Sequence, residues 1–119
     1  MLKNGKVLDL PWMTSVTEND GLLYLNFNEN NYEQINSQWE KVSDLIMDYN
    51  GIIPESQYLD AANKIRDFYF PNGVPMSKEH LQKFEKMLTD WIFLLPTEQA
   101  VSMQSKITKS PVYYFRLSY

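Results

Sequence analysis

The chain has 119 residues, enough for one domain with a real core and too few for two. Its composition, 44% hydrophobic and 22% charged with Gly 4 and Pro 6, excludes a disordered, collagen-like or low-complexity polypeptide. The net charge of -4, with lysines and arginines scattered along the chain, speaks against a nucleic-acid partner, and the lack of cysteine removes disulfides, thiolate metal sites and a cysteine nucleophile.

The first predicted element is a short strand in VLDLPWMTSVT, near residues 10–17. Its side chains alternate, with Trp12, Thr14 and Val16 on one side and Met13, Ser15 and Thr17 on the other. Pro11 suits a strand entry, because it lacks a donor N–H and holds its predecessor extended. ENDG ends the strand. Helical spacing then takes over: Tyr32, Ile35, Trp39, Val42, Ile46 and Tyr49 recur at three- and four-residue steps, up to Gly51 and Pro54. A second stripe joins Tyr58, Ala61, Ala62, Ile65, Phe68 and Tyr69, and PNGVP (71–75) is a loop. Ser77 is a candidate N-cap for a third helix with Leu81, Phe84, Leu88, Trp91 and Leu95 inward. Pro96 suits the first turn of a fourth helix carrying Ala100, Met103 and Ile107.

The last element, near residues 111–119 in SPVYYFRLSY, is aromatic, β-branched and apolar on both faces. That pattern fits a strand covered on each side inside an α/β sheet. The expected fold class is therefore α/β and helix-dominated, with two strands and four or five intervening helices in one domain over residues 1–119. Either the strands pair through a long crossover, or both belong to a larger sheet.

Candidate chemistry is sparse. His80 is the only histidine and lies in KEHLQKF beside an apolar stripe, where it reads as a surface side chain. No HExxH and no phosphate-binding glycine loop occurs, and none of Gly5, Gly21, Gly51 and Gly73 builds a G-x-S-x-G, so no metal or cofactor is called for. Glu29, Glu33, Glu40, Asp44, Asp48, Glu55, Asp60 and Asp67 fit solvated helix faces. MLKNGKVLDLPWM lacks the continuous apolar core of a signal peptide, and WIFLL is too short to span a membrane. In TENDGLLY, Asp20 before Gly21 and an apolar run fits a turn or a helix N-cap.

DLPWMTSVTENDGLLYL resembles a segment of the type-B carboxylesterases and cholinesterases, a branch of the α/β-hydrolases, where the motif runs approximately P-[WL]-[IL]-x-G-x-[TN]-x-[DE]-[ED]-G-L. SQWEKVSDLIMDYNGIIP, KIRDFYF, LTDWIFLLPTEQAVSMQSK and SPVYYFRLSY look like the helical region and following strand of insect members, in the right order. The resemblance implies a partial α/β-hydrolase fold. It also implies that Asp20, the acid before the glycine, is the third member of a Ser-His-acid triad. Glu18 stands two residues too early. Three positions depart from the family pattern: aspartate where glutamate is commoner, Asn19 for an acid, and Ser15 for a frequent glycine.

In the family the nucleophilic serine precedes this region and the catalytic histidine follows the last strand, a context His80 lacks. The resemblance thus implies an internal piece of a serine carboxylic-ester hydrolase, inactive in isolation, whose parent takes small-molecule carboxylic esters. Secretion is common in that family, and nothing in these residues decides localisation. A non-catalytic, cholinesterase-like adhesion scaffold is the alternative. Helix stripes and a terminal strand built to bury against further structure predict a self-associating polypeptide.

Overall fold

A computed structural model describes residues 7–25, 31–49 and 51–118. The expectations for residues 1–6, Glu29, Asn50 and Tyr119 lie outside these. Strand β1 (Trp12–Thr17) leads through a single helical turn, α1 (Leu22–Leu25), to α2 (Tyr32–Ser37), α3 (Trp39–Met47), α4 (Tyr58–Tyr69), α5 (Leu81–Leu88) and α6 (Leu95–Ile107), and the last strand is β2 (Val112–Leu117). β1 and β2 pair in parallel, Trp12 opposite Val112 through Thr17 opposite Leu117. The long crossover is thus the observed pairing, and both strands are shorter than their sequence signals.

The alternation in β1 has the expected consequence. Trp12, Thr14 and Val16 share the more buried side, with Val16 buried, whereas Met13 is 66% exposed on the other face. In β2, Val112 and Tyr114 share the inner side, while Tyr113, Phe115 and Leu117 are 52%, 43% and 45% exposed. Expected cover on both faces of β2 is therefore met on one face only within the described residues. Ahead of β1, Asp9 clasps the sheet: its Oδ1 accepts the backbone N–H groups of Lys109 (2.9 Å) and Ser110 (2.8 Å).

The core lies among the helices rather than on the sheet. Tyr32 and Ile35 of α2, Trp39 and Met47 of α3, Ala62 of α4, and Phe84, Met87 and Leu88 of α5 are buried together with Tyr49, Phe70 and Met76. Tyr49 packs against Tyr58 and Trp91, both at 5.3 Å between ring centroids. Burial, reinforced by the charge of Asp44, pushes its phenol up to about 12.

Four expectations differ from the structure, each for a local reason. The stripe from Tyr32 to Tyr49 is two helices, broken at Gln38 (φ -115°, ψ 20°). Asn36 and Ser37 precede the break, and both bond back to carbonyls, Asn36 Nδ2 to Tyr32 O (2.7 Å) and Ser37 Oγ to Gln34 O (3.2 Å). The Asn36 amide also reaches across to Met76, donating to its carbonyl and accepting its N–H, and accepts from Arg66 at 3.0 Å. Arg66 in turn lies over the Trp39 ring. α3 stops at Met47 because Asp48 already takes the left-handed conformation (φ 45°), three residues ahead of Gly51, which takes it too (φ 72°).

Phe68 is 76% exposed instead of inward. At 100° per residue it lies about 60° past Ile65, off the buried face of α4, and it rests edge-on against Tyr69. Finally, the third and fourth helices are one rod. Thr89–Leu94 is π-helical and joins α5 to α6 without a break. Pro96 has no N–H, and in an α-helix its ring would meet the carbonyl of Ile92. The widened turn, with Leu95 N–H bonded to Asp90 O, accommodates it.

Candidate active site

Asp20 stands in the turn directly after β1. Parallel pairing puts the carboxyl ends of β1 and β2 side by side, and the ladder runs on past them through Glu18 N–H to Leu117 O at 2.9 Å. The turn closes into α1 through Leu22 N–H to Asn19 O and Leu23 N–H to Asp20 O. The N-cap reading is thus half right. Asp20 precedes a helical turn, but its carboxylate bonds backward rather than to the amides of α1. Oδ2 accepts the N–H of Thr17 (2.8 Å) and Oδ1 accepts the Thr17 hydroxyl (2.6 Å).

Thr17 thereby holds both oxygens with one residue, fixing the carboxylate plane at the strand end. An ionised carboxylate has about four acceptor positions, so two hydrogen bonds leave room for a further donor. Asp20 is half-buried, whereas Glu18 is exposed. Glu18 and Asn19 face a cavity of about 500 Å³ also lined by Glu85 and Arg116.

Gly21 is pinned from the other side. Its N–H donates to Thr89 Oγ1 (2.8 Å), and that hydroxyl donates to Glu85 Oε1 (2.6 Å). Both partners are buried, Glu85 at 8% and Thr89 at 3% exposure. A Cβ on Gly21 would stand 2.3 Å from the Glu85 carbonyl oxygen and 2.8 Å from Thr89 N, so only glycine allows this approach of turn to helix.

His80 is half-buried in a 3₁₀ turn (Lys78–His80) ahead of α5, and its Nδ1 is 3.1 Å from Ser77 Oγ. Ser77 flanks the helix start as its sequence suggests, but its hydroxyl goes to this ring rather than to a backbone N–H. No hydrogen bond joins His80 to Asp20 among the described residues. Nor does any group of three or more His, Asp or Glu side chains there suit a metal ion. A cavity of about 860 Å³ opens among Asp44, Asp48, Tyr58 and Trp91, and its lining includes no residue of the Asp20 turn.

Sequence reasoning singled out Asp20 but did not anticipate its bonds to Thr17 or the contact of Gly21 with Thr89 and Glu85. One signal was available for the last two. Glu85 and Thr89 are four residues apart, hence on one face, and they flank Phe84 and Leu88 of the buried stripe.

Comparison with known proteins decides the affiliation. The sequence model described as the carboxylesterase family matches residues 1–119. The chain belongs to the carboxylesterase family. Similar proteins include venom carboxylesterase-6 of Apis mellifera, 30% identical over 100% of this chain and 22% of the relative. A carboxylic ester hydrolase of Bombus ignitus is 28% identical over 100% of the chain and 22% of the relative. Esterase E4 of Myzus persicae is 31% identical over 93% of the chain and 20% of the relative. The chain therefore spans about a fifth of the length of the relatives it matches, and all three carry esterase or ester-hydrolase names. No helix of the described residues is long and apolar enough to cross a membrane.

Proposed function

We propose that these residues form the acid-bearing part of an α/β-hydrolase-type carboxylic-ester hydrolase, with Asp20 as the acid of a Ser-His-Asp triad. The observation that carries this reading is the placement of Asp20. It is a fixed, half-buried carboxylate at the carboxyl end of one strand of a parallel pair, where open α/β sheets gather ligands and catalytic groups. A histidine following β2 would arrive beside it, because the two strand ends are neighbours.

In that arrangement Asp20 accepts the imidazole Nδ1–H. It thereby fixes the tautomer in which Nε2 takes the proton of the attacking serine hydroxyl, and it stabilises the imidazolium formed. The serine oxygen adds to the ester carbonyl, the alcohol leaves with the proton returned from the imidazolium, and water releases the acid from the acyl-enzyme by the same path. The serine and the histidine belong to a longer polypeptide, whose substrate is a small-molecule carboxylic ester, and the 119-residue chain alone is expected to turn over no ester.

The test is an activated aryl ester assayed with the full-length polypeptide, its Asp20→Asn variant and the isolated chain. The substitution offers the imidazole an amide instead of a carboxylate. Loss of turnover on the order of 10⁴-fold is expected, as in the serine-protease example of this substitution. Specific turnover by the isolated chain, or parental turnover in the variant, would refute the assignment.

A further inference from the structure

The geometry points to a buried relay, Glu85–Thr89–Gly21, that positions Asp20 from behind, with Thr89 a positioning residue for the triad acid. The inference rests on the reading of Asp20 as that acid and adds residues to it. Three observations converge. The Thr89 hydroxyl bridges, accepting the Gly21 N–H at 2.8 Å and donating to Glu85 Oε1 at 2.6 Å. Glu85 is 8% exposed and Thr89 3%, so little of either residue meets bulk water. And the backbone of α5 approaches Gly21 so closely that no side chain fits there.

The relay has directional logic. A hydroxyl that gives its proton to a carboxylate becomes a better acceptor, because the two bonds polarise one another. Glu85 thereby strengthens the bond from Thr89 to Gly21 N–H without touching the turn. The turn is then held at both ends, by Thr17 on the carboxylate and by Thr89 on the next peptide. The peptide plane between Asp20 and Gly21 cannot rotate without breaking one of them, and that rotation would swing the Asp20 carboxylate. Neither Glu85 nor Thr89 reaches the reacting atoms; both act through Gly21.

Among the described residues the hydrogen bond of this carboxylate goes to Thr89. Apolar neighbours on α5, Phe84, Met87 and Leu88, bury completely beside it, and an uncompensated acid among them costs free energy. A leucine at this position would pack as well and leave the Thr89 proton without this acceptor. The arrangement is understandable if orienting the Asp20 turn is what the carboxylate is for.

The experiment uses the full-length esterase with an activated aryl ester. Thr89→Val keeps the shape and removes the hydroxyl. If the relay orients the acid, kcat falls by about 10-fold to 10²-fold with KM within about twofold, since misplacement of a catalytic group acts on the transition state. The acidic limb of the kcat/KM profile moves to lower pH, because an imidazole that loses its carboxylate partner is easier to deprotonate. Thr89→Ser restores kcat to within about threefold. Thr89→Cys, which fills the site but accepts hydrogen bonds weakly, falls between them; it is the second arm should the valine variant not fold. In an Asp20→Asn background Thr89→Val adds little further loss, as expected of residues acting as a unit.

Folded valine or cysteine variants with parental kcat and an unmoved pH limb would overturn the relay while leaving the triad reading intact. Parental turnover in Asp20→Asn itself would overturn the triad reading, and the relay with it.

Discussion

At the scale of single residues, the Asp20 turn is held by short-range and long-range contacts of different legibility. Asp20 stood out in the sequence because its segment resembles the carboxylesterases; the local pattern alone, an acid before glycine after an alternating strand, gives only a turn or a helix N-cap. Its actual anchor, Thr17, is three residues away and equally local, yet a carboxylate in such a turn can bond forward to the helix or back to the strand, and spacing alone does not choose. Thr89 lies 68 positions from Gly21, and nothing in a single sequence announces that pair. Gly21 is the residue where the long-range constraint becomes measurable. Gly21→Ala should lower stability by about 1–3 kcal/mol, since the new methyl group meets backbone atoms that cannot swing aside. Urea unfolding of the variant against the parent checks it, and equal midpoints with equal slopes would mean that α5 does not press on the turn as described.

At the scale of elements, helix existence followed from periodicity, and helix boundaries did not. The stripes of α2, α3, α4 and α5 bury wholly or partly the residues their spacing selects, with two exceptions: Phe68, at the edge of its face, and Leu95, expected inward but 40% exposed at the start of α6. The break at Gln38 and the continuity through Pro96 depend on side-chain bonds and a π-helical turn that a hydrophobic pattern does not encode. The strands were legible, but their pairing was one of two alternatives.

That pairing carries a pH dependence through the Asp9 clasp. The backbone N–H of Ser110, aided by its hydroxyl and by Lys109 N–H, holds the Asp9 carboxyl below the usual aspartate range, against a smaller opposing effect of burial. A depressed acid contributes its stabilisation fully above the unfolded-state value, and loses it as pH falls through the folded value. The clasp should therefore open only below the ordinary aspartate titration, at the entry of the strand pair. The amide chemical shifts of Lys109 and Ser110, followed from about pH 6 downward at roughly half-unit steps, should titrate with a midpoint below the ordinary aspartate value. They should be flat in Asp9→Asn, and a midpoint at or above the ordinary value would show that the carboxylate is not held there.

At the scale of the whole molecule, the helical core is closed and the sheet is open. The radius of gyration is 16.7 Å, and the extents are 49 × 38 × 24 Å. A compact chain of this length has a radius of gyration of about 13.5 Å. The excess fits a two-strand sheet covered by α6 on one side and by none of the described residues on the other. Met13, Tyr113, Phe115 and Leu117 make that uncovered face contiguous through the register, Met13 lying opposite Tyr113. Among the described residues each strand also has one edge without a neighbouring strand, the feature by which sheets recruit further strands. Burying apolar surface is worth about 25 cal/mol per Å², so two copies meeting over these faces gain what neither has alone. The isolated chain is accordingly expected to self-associate, with a sedimentation coefficient that rises with concentration. Replacing outward residues Tyr113→Lys and Phe115→Glu together should return it to monomer without loss of helical signal, because the buried cluster includes neither side chain. A single concentration-independent monomer for the unaltered chain, with cooperative melting, would show that the open face is tolerated in water.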